Sequence, residues 1–419
     1  QYAFRLVYLC FTRAYLVIGI VLGTLAGVGL GVISGLFPGI HSNTLAATLL
    51  GLQAFLIPIG GAEGLAATMV AALVTHTFLD SIPSTFLGIP DPDTALSVLP
   101  SHMLCLEGKG EEAVRIAALG SACAAAFAIP LSILLFLIVP LLQPYFDWWI
   151  GIILIAVMGY LIIGSDSPQW AMIIFGISGV LGIFTFRYSF LGWHSLGESG
   201  ILMPLLTGLF GISVLLFASA GAVPKQAFQG IRMTSAEIKR GTITGTVAGL
   251  VVGWLPGLSN ATANAVVCSG VSYQAERRQY IFATNAANTS NAIVGIAVLF
   301  AIGRSRNGVM AALSTLELPS LPALLFSGAL ASVLAFFLTI WISGYAHRMN
   351  GIDGKLLNRA VILLVTLISF LIAGPFGLFV LVLAVAVGVL PTMVNISRVF
   401  CMGAITLPVI LYSFGAGGF

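Results

Sequence analysis

Apolar runs of about 20 residues, enough to cross roughly 30 Å of hydrocarbon, recur along this chain with short polar gaps between them. They predict membrane spans near 15–36, 64–88, 113–143, 149–164, 169–186 and 200–220, and again near 241–255, 283–302, 321–346, 358–373, 375–392 and 400–415. Two runs are interrupted in the same way. The stretch Gly35-Leu36-Phe37-Pro38-Gly39-Ile40-His41-Ser42-Asn43-Thr44 returns as Gly253-Trp254-Leu255-Pro256-Gly257-Leu258-Ser259-Asn260-Ala261-Thr262, an offset of 218 (253 − 35). The same offset relates Gly23, Gly27 and Gly31 to Gly241, Gly245 and Gly249, so the match is a repeat and not a coincident Pro-Gly. Glycines four residues apart clear one helix face for close packing. After each break a shorter apolar segment, to about 57 or 270, reads as the returning limb of a hairpin.

The pattern predicts an all-α polytopic membrane protein with two Pro-Gly-broken helix hairpins and about 10–12 transmembrane segments. Residues 1–224 form the first membrane repeat, 225–240 a cytoplasmic linker and 241–419 the second repeat. Five crossings between the two breaks, near 64, 113, 149, 169 and 200, invert the second repeat relative to the first. Charge bias supports that orientation: Lys225 to Arg240, Arg277/Arg278, Arg348/Lys355/Arg359 and Arg398 fall on one side, read as cytoplasmic, with Lys109 and Arg115. Arg5, Arg13, Arg187 and Arg304/Arg306 fall on the other.

Composition agrees. Hydrophobic residues make up 59% and charged residues 7%, which excludes an ordinary soluble domain. A net charge of +3 confined to loops carries topology and argues against a nucleic-acid partner. The five cysteines, Cys10, Cys105, Cys123, Cys268 and Cys401, are scattered and form no disulfide or zinc pattern. No Walker loop, His-Glu-x-x-His or Gly-x-Ser-x-Gly occurs, so no catalytic residue, metal site or cofactor is expected, and transport would draw on an ion gradient.

Candidate chemistry gathers at four places. A Pro-Gly break lets one half-helix end and another begin at membrane depth, and the new N-terminus attracts anions. Pro38 and Gly39 with His41, Ser42, Asn43 and Thr44, and Pro256 and Gly257 with Ser259, Asn260, Thr262 and Asn264, therefore form two candidate anion-binding termini. The plain alternative is that these polar residues only cap the half-helices. Asn285, Asn288 and Asn291 share one face of the span near 283–302 and look inward, to substrate or to another helix. His76 and Asp80 lie one turn apart in the span near 64–88, and a carboxylate within a membrane is a candidate to carry a coupling ion, Na+ or H+. An interfacial His-Asp pair is the alternative. Asp91 and Asp93 read as turn residues, and Arg304 and Arg306 as charges at a cavity mouth or plain loop charges.

At these residues the chain resembles the large membrane subunit of tripartite tricarboxylate transporters, the TctA family, in a divergent archaeal-type branch. The resemblance rests on both breaks, on Leu87-Gly88-Ile89-Pro90 with Glu107-Gly108-Lys109-Gly110, on Pro204 to Gly211 and on Asn285-Ala286-Ala287-Asn288. It departs from the family pattern at Asn285, where that pattern is acidic, and at Gly303-Arg304-Ser305-Arg306. The resemblance implies a secondary transporter in the plasma membrane that moves a di- or tricarboxylate by alternating access. It also implies an extracytoplasmic binding protein and a small membrane subunit as partners, and leaves a homo-oligomer open. The Pro-Gly-Ile-His-Ser-Asn-Thr segment also looks like the Pro-Gly element of polyprenyl-phosphate translocases, so a lipid-phosphate carrier is the alternative, ahead of a membrane-embedded enzyme.

Overall fold

The computed structural model describes residues 2–37, 40, 42–87, 98–193, 201–217, 224–255, 277–305, 307–316, 318–345, 348 and 354–416. Among the described residues every regular element is helical. In chain order these are α1 (Tyr2–Leu36), α2 (Ser42–Gly51), α3 (Gln53–Leu79), α4 (Ser81–Leu87), α5 (Val98–Leu106), α6 (Gly110–Ile163) and α7 (Pro168–Arg187). After α8 (Leu202–Leu206) come a π-helical segment (Thr207–Ile212) and α9 (Ser213–Leu215). There follow α10 (Ser235–Trp254), α11 (Arg277–Ile302), α12 (Gly308–Leu313), α13 (Leu321–Tyr345), α14 (Gly354–Met393), a 3₁₀ turn (Arg398–Met402) and α15 (Gly403–Ser413). Among the described residues seven helical stretches are long and apolar enough to cross a membrane, and two shorter apolar segments, Trp149–Ile163 at the end of α6 and Arg398–Ser413, add to them.

Helix α1 ends at Leu36, before the first break, and α2 begins after it at Ser42; α3 follows and is bent at Gly61, where φ is 75°. One of the expected boundaries is corrected. The runs at 113–143 and 149–164 form one 54-residue helix, α6, in which Pro130, Pro140 and Pro144 are taken up without a stop. The runs at 358–373 and 375–392 are the two limbs of α14, which breaks between them at Gly374, where φ is 66° and the Trp193 ring covers the glycine.

The two glycine ladders do the same work. A Cβ on Gly27 would stand 2.3 Å from the Thr68 carbonyl oxygen, and one on Gly245 would stand 2.5 Å from that of Ala283. Gly31 meets Ala72 and Thr75 of α3, while Gly249 meets Ala287 and Ser290 of α11. Without a strong hydrophobic force between helices in lipid, such backbone approach is what binds them. Partners on α3 and α11 are related by 215 (283 − 68) and the ladders by 218, so the second copy has three fewer residues between ladder and partner. His76 thereby corresponds to Asn291, and Asp80 to Gly295. The carboxylate belongs to the first copy alone.

Helix packing divides the molecule into two bodies, each drawing on both sequence repeats. The first body joins α1–α5, the N-terminal part of α6 and α10–α13, around Val70, Phe78, Ala128, Ile293 and Leu324. The second joins the C-terminal part of α6, α7–α9, α14, the 3₁₀ turn and α15, around Leu154, Ile174, Leu209, Val380 and Phe400. Helix α6 is common to both. Within the first body the repeats interlock: α6 packs on α11, where Ser121 Oγ donates to the Asn285 carbonyl (3.3 Å), and α13 packs on α3, where Ser327 Oγ donates to the Ala67 carbonyl (3.2 Å).

Candidate functional site

The centre of the first body is the crossing of α3 and α11. Both present buried polar residues there, and the chain has spent helix-compatible, otherwise apolar sequence around them. Asp80 is 2% exposed and Asn288 3% exposed. Asn288 Nδ2 donates to Asp80 Oδ2 at 3.0 Å, across 208 positions of sequence. One turn earlier Thr77 and Thr289 share a hydroxyl–hydroxyl bond of 2.9 Å. Asp80 ends α3, and its own carbonyl accepts from Ser84 Oγ at 2.6 Å. A buried carboxylate in a low-dielectric interior is costly unless it is hydrogen-bonded, and here the donor comes from the other repeat.

His76 is buried one turn before Asp80, and its Nδ1 lies 3.1 Å from Ser34 Oγ on α1. Ser34 can turn its proton to the Gly31 carbonyl (3.3 Å), and in that arrangement His76 Nδ1 is the donor. Thr24, on the same ladder, bonds Ser327 of α13 at 2.8 Å. Helix α1 therefore anchors α3 and α13 through side-chain pairs as well as through its glycines.

The remaining sequence candidates fall as follows. Ser42 is buried at the start of α2, with Thr44 in the same first turn. Asn43 Oδ1 accepts from the Val309 amide (3.3 Å), and its side chain packs on Gly308, which ties the first returning limb to α12 of the second repeat. Asn285 turns its amide to the Ile281 carbonyl of its own helix (2.8 Å), and Asn291 is half-buried beside Gly249. The structure brings Asp80 and Asn288 together, and His76 joins them through the shared helix. Pro38, Gly39, His41, Pro256, Gly257, Ser259, Asn260, Thr262 and Asn264 lie outside the described residues, as do Asp91, Asp93 and Arg306. Gly303, with φ of 67°, closes α11 in the left-handed conformation that favours glycine.

Sequence reading passed over two arrangements. Trp254, the last residue of α10 before the second break, donates from Nε1 to Gln143 Oε1 at 2.8 Å, and its ring meets Phe146 edge-on at 4.6 Å. Gln143 is 7% exposed and stands between Pro140 and Pro144 where α6 passes from one body to the other. A glutamine at the edge of an apolar run, flanked by prolines, was the available signal.

The second arrangement fastens the linker between repeats to the α5–α6 turn. Gln226 donates to the Cys105 carbonyl (3.0 Å) and accepts from the Gly110 amide (2.7 Å), while Ala227 N–H donates to the Gly108 carbonyl (3.0 Å). The Glu107-Gly108-Lys109-Gly110 motif is shaped for this contact, since a Cβ on Gly110 would stand 2.8 Å from Gln226 Oε1. Glu112 receives a two-pronged bond from Arg278 (2.8 and 3.1 Å) and one from the Arg232 amide (3.0 Å). The Arg115 guanidinium lies 4.1 Å over the Phe228 ring. Hydrogen bonds from Lys109 and then Arg277 hold the Glu107 carboxyl below the usual carboxylate range. The Thr234–Glu237 capping box lowers that of Glu237 in the same way, and burial pushes the Cys105 thiol up to about 12.

Long apolar helices, glycine-mediated helix pairs and a carboxylate held between two repeats define a multi-pass membrane protein of the transporter class. Residues 21–403 match the tripartite tricarboxylate transporter TctA family, and the chain belongs to it. Membership makes the chain a transporter component. It is 28% identical to a protein of Methanocaldococcus jannaschii described as uncharacterized, over 95% of this chain and 98% of that one. No solved structure matches the chain.

Proposed function

We propose that this protein is a secondary transporter that moves an organic anion, a di- or tricarboxylate, by alternating access, with Asp80 carrying the coupling H+ or Na+. The observation that carries the reading is the Asp80–Asn288 bond, a carboxylate inside a membrane body held by an amide of the opposite repeat. Loading Asp80 with a cation changes its bond to Asn288 and hence the seating of α3 on α11. Both broken helices enter this same body, so ion occupancy and anion occupancy act on one set of helices. Helix α6 is the path by which that body turns against the second one, and the Trp254–Gln143 bond sits where the two meet. The family's tripartite description supports an extracytoplasmic binding protein and a small membrane subunit as partners.

The test is reconstitution into liposomes and uptake of radiolabelled citrate and smaller dicarboxylates under imposed H+ or Na+ gradients, with polyprenyl phosphate as a parallel substrate. Gradient-dependent accumulation of a carboxylate is the expected result. Chemical turnover without vectorial movement, or movement of the lipid phosphate alone, overturns the proposal.

A further inference from the structure

The second body holds a charge that the transport reading does not use. Arg398 opens the 3₁₀ turn that follows α14. The chain reverses there through Asn395, whose φ is 54°, and Ile396 N–H returns to the Pro391 carbonyl (3.0 Å). This reversal aims the half-buried guanidinium back into the body. It donates to Ser213 Oγ at 2.9 Å and to the hydroxyl of Thr392. Ser213 in turn donates to the Leu209 carbonyl (2.7 Å), so its oxygen is left to accept from Arg398.

Its partners among the described residues, Ser213 and Thr392, are both neutral. The acids of the second body among the described residues are Asp147, in α6, and Asp166, in the turn between α6 and α7. Guanidinium keeps its proton under any local condition, so inside a low-dielectric body it calls for an anion and presents several parallel donors to it.

The surroundings say which anion fits. Asn358 donates to the Leu215 carbonyl (3.5 Å), two residues beyond Ser213, which brings the first turns of α14 to the same end of the body. Lys355 and Arg359 are exposed there. Around these charges the outer surface is apolar: Leu356, Leu363 and Met393 are all strongly exposed, the last two on a stretch long and apolar enough to cross a membrane. The backbone is shaped at this place too. The π-helical segment ends at Ser213, and Gly388 approaches so closely that a Cβ on it would stand 2.4 Å from the Leu209 carbonyl oxygen. Such π segments inside helices concentrate at functional sites.

We propose that the end of the second body formed by Arg398, Thr392 and Arg359 binds the phosphate of an anionic phospholipid, whose acyl chains run along Leu363 and Met393. Basic groups set between helices at headgroup level are suited to phosphate, and the exposed apolar flank selects a lipid over a free ion. The site lies in the second body, whereas α1 and α10, which lead to the two breaks, pack in the first, and its standing does not depend on what the protein transports. It would anchor the second body in the bilayer while the first one moves.

The experiment is native mass spectrometry of the whole protein released from nanodiscs of phosphatidylcholine containing phosphatidylglycerol, paired with thermal unfolding. The wild type should retain one more phosphatidylglycerol per chain than Arg398→Gln, with Arg187→Gln, at an exposed position of the same body, retaining as much as the wild type. Arg398→Lys should fall between. Thr392→Val keeps the charge and the fold, and should weaken retention by roughly 3-fold, the worth of one hydrogen bond. Equal retention by wild type and Arg398→Gln overturns the proposal. So does stabilisation of the wild type by inorganic phosphate alone to the same degree as by phosphatidylglycerol, because the occupant would then be a soluble anion.

Discussion

The two bodies are built from the same kind of apolar helix, yet they treat buried polar residues differently. In the first body polar side chains meet each other across elements: Thr24 with Ser327, His76 with Ser34, Thr77 with Thr289, Asp80 with Asn288. Hydroxyls that return to a carbonyl four residues back occur in both bodies, at Ser132, Ser332 and Thr339 of the first and at Thr185, Ser213 and Ser369 of the second, but pairs between hydroxyl, amide, imidazole and carboxylate across helices are gathered in the first. Ser178 reaches a neighbouring carbonyl as well, that of Phe400 (3.1 Å). A hydroxyl bonded to its own helix is merely accommodated in the membrane. One that is paired across helices fixes which helices cross and at what height. The exception in the second body is Arg398, and that is where its own chemistry lies.

The contrast can be broken most severely at Asp80. Asp80→Asn should cut gradient-driven carboxylate uptake in liposomes by roughly 10- to 100-fold, the worth of a charge-assisted bond. Ser178→Ala, an equally buried change in the second body, should leave uptake within about twofold. Uptake that survives Asp80→Asn unchanged would remove the distinction.

Packing should not distinguish the bodies. Gly245→Leu drives a side chain into the Ala283 carbonyl, and Gly182→Leu drives one into that of Ala404. Each should destabilise by about 1–3 kcal/mol or more, seen as a lowered Tm in detergent. A large loss in one body only would mean that the two are held together by different forces.

A smaller effect is expected where the bodies join. Gln143→Met keeps the size of the side chain and removes the acceptor for Trp254. Turnover should fall by roughly 3- to 10-fold with KM unchanged, and Gln143→Glu, which keeps an acceptor oxygen, should restore part of it. A change in KM alone would place the pair at the substrate and not at the joint.

The smallest effect is on pH. Glu107 has a lowered pKa in the folded state, so its pairing with Lys109 and Arg277 contributes fully above the ordinary carboxylate pKa of about 4.3 and is lost as pH falls through the folded value. Being exposed, it contributes little. Glu107→Gln should flatten the fall in Tm on the acid side slightly and leave neutral stability nearly unchanged.

Much of this was legible locally. Helix boundaries at Leu36, Trp254 and Ile302 follow from Pro-Gly or Gly signals within a few residues, and the ladders announced which face of α1 and α10 is packed. His76, Asp80 and the three asparagines stood out because any polar residue in an apolar run must be paid for by a partner. The continuity of α6 was not legible, because proline normally marks a stop and only packing on both sides carries a helix through three of them. The division into two bodies was hidden too, since both draw on both repeats.

Residue type and spacings within one or two turns are enough to set the kind of long apolar helix, the duplicated break and the close-packed faces, but not which runs join into one helix. Only the tertiary structure decided that Asp80 meets Asn288, that Trp254 meets Gln143 and that Arg398 meets no acid among the described residues. An aspartate, an asparagine or an arginine in an apolar run reads the same whatever stands opposite it. Its partner is chosen by which helices cross, and that is set by backbone approach over the whole body.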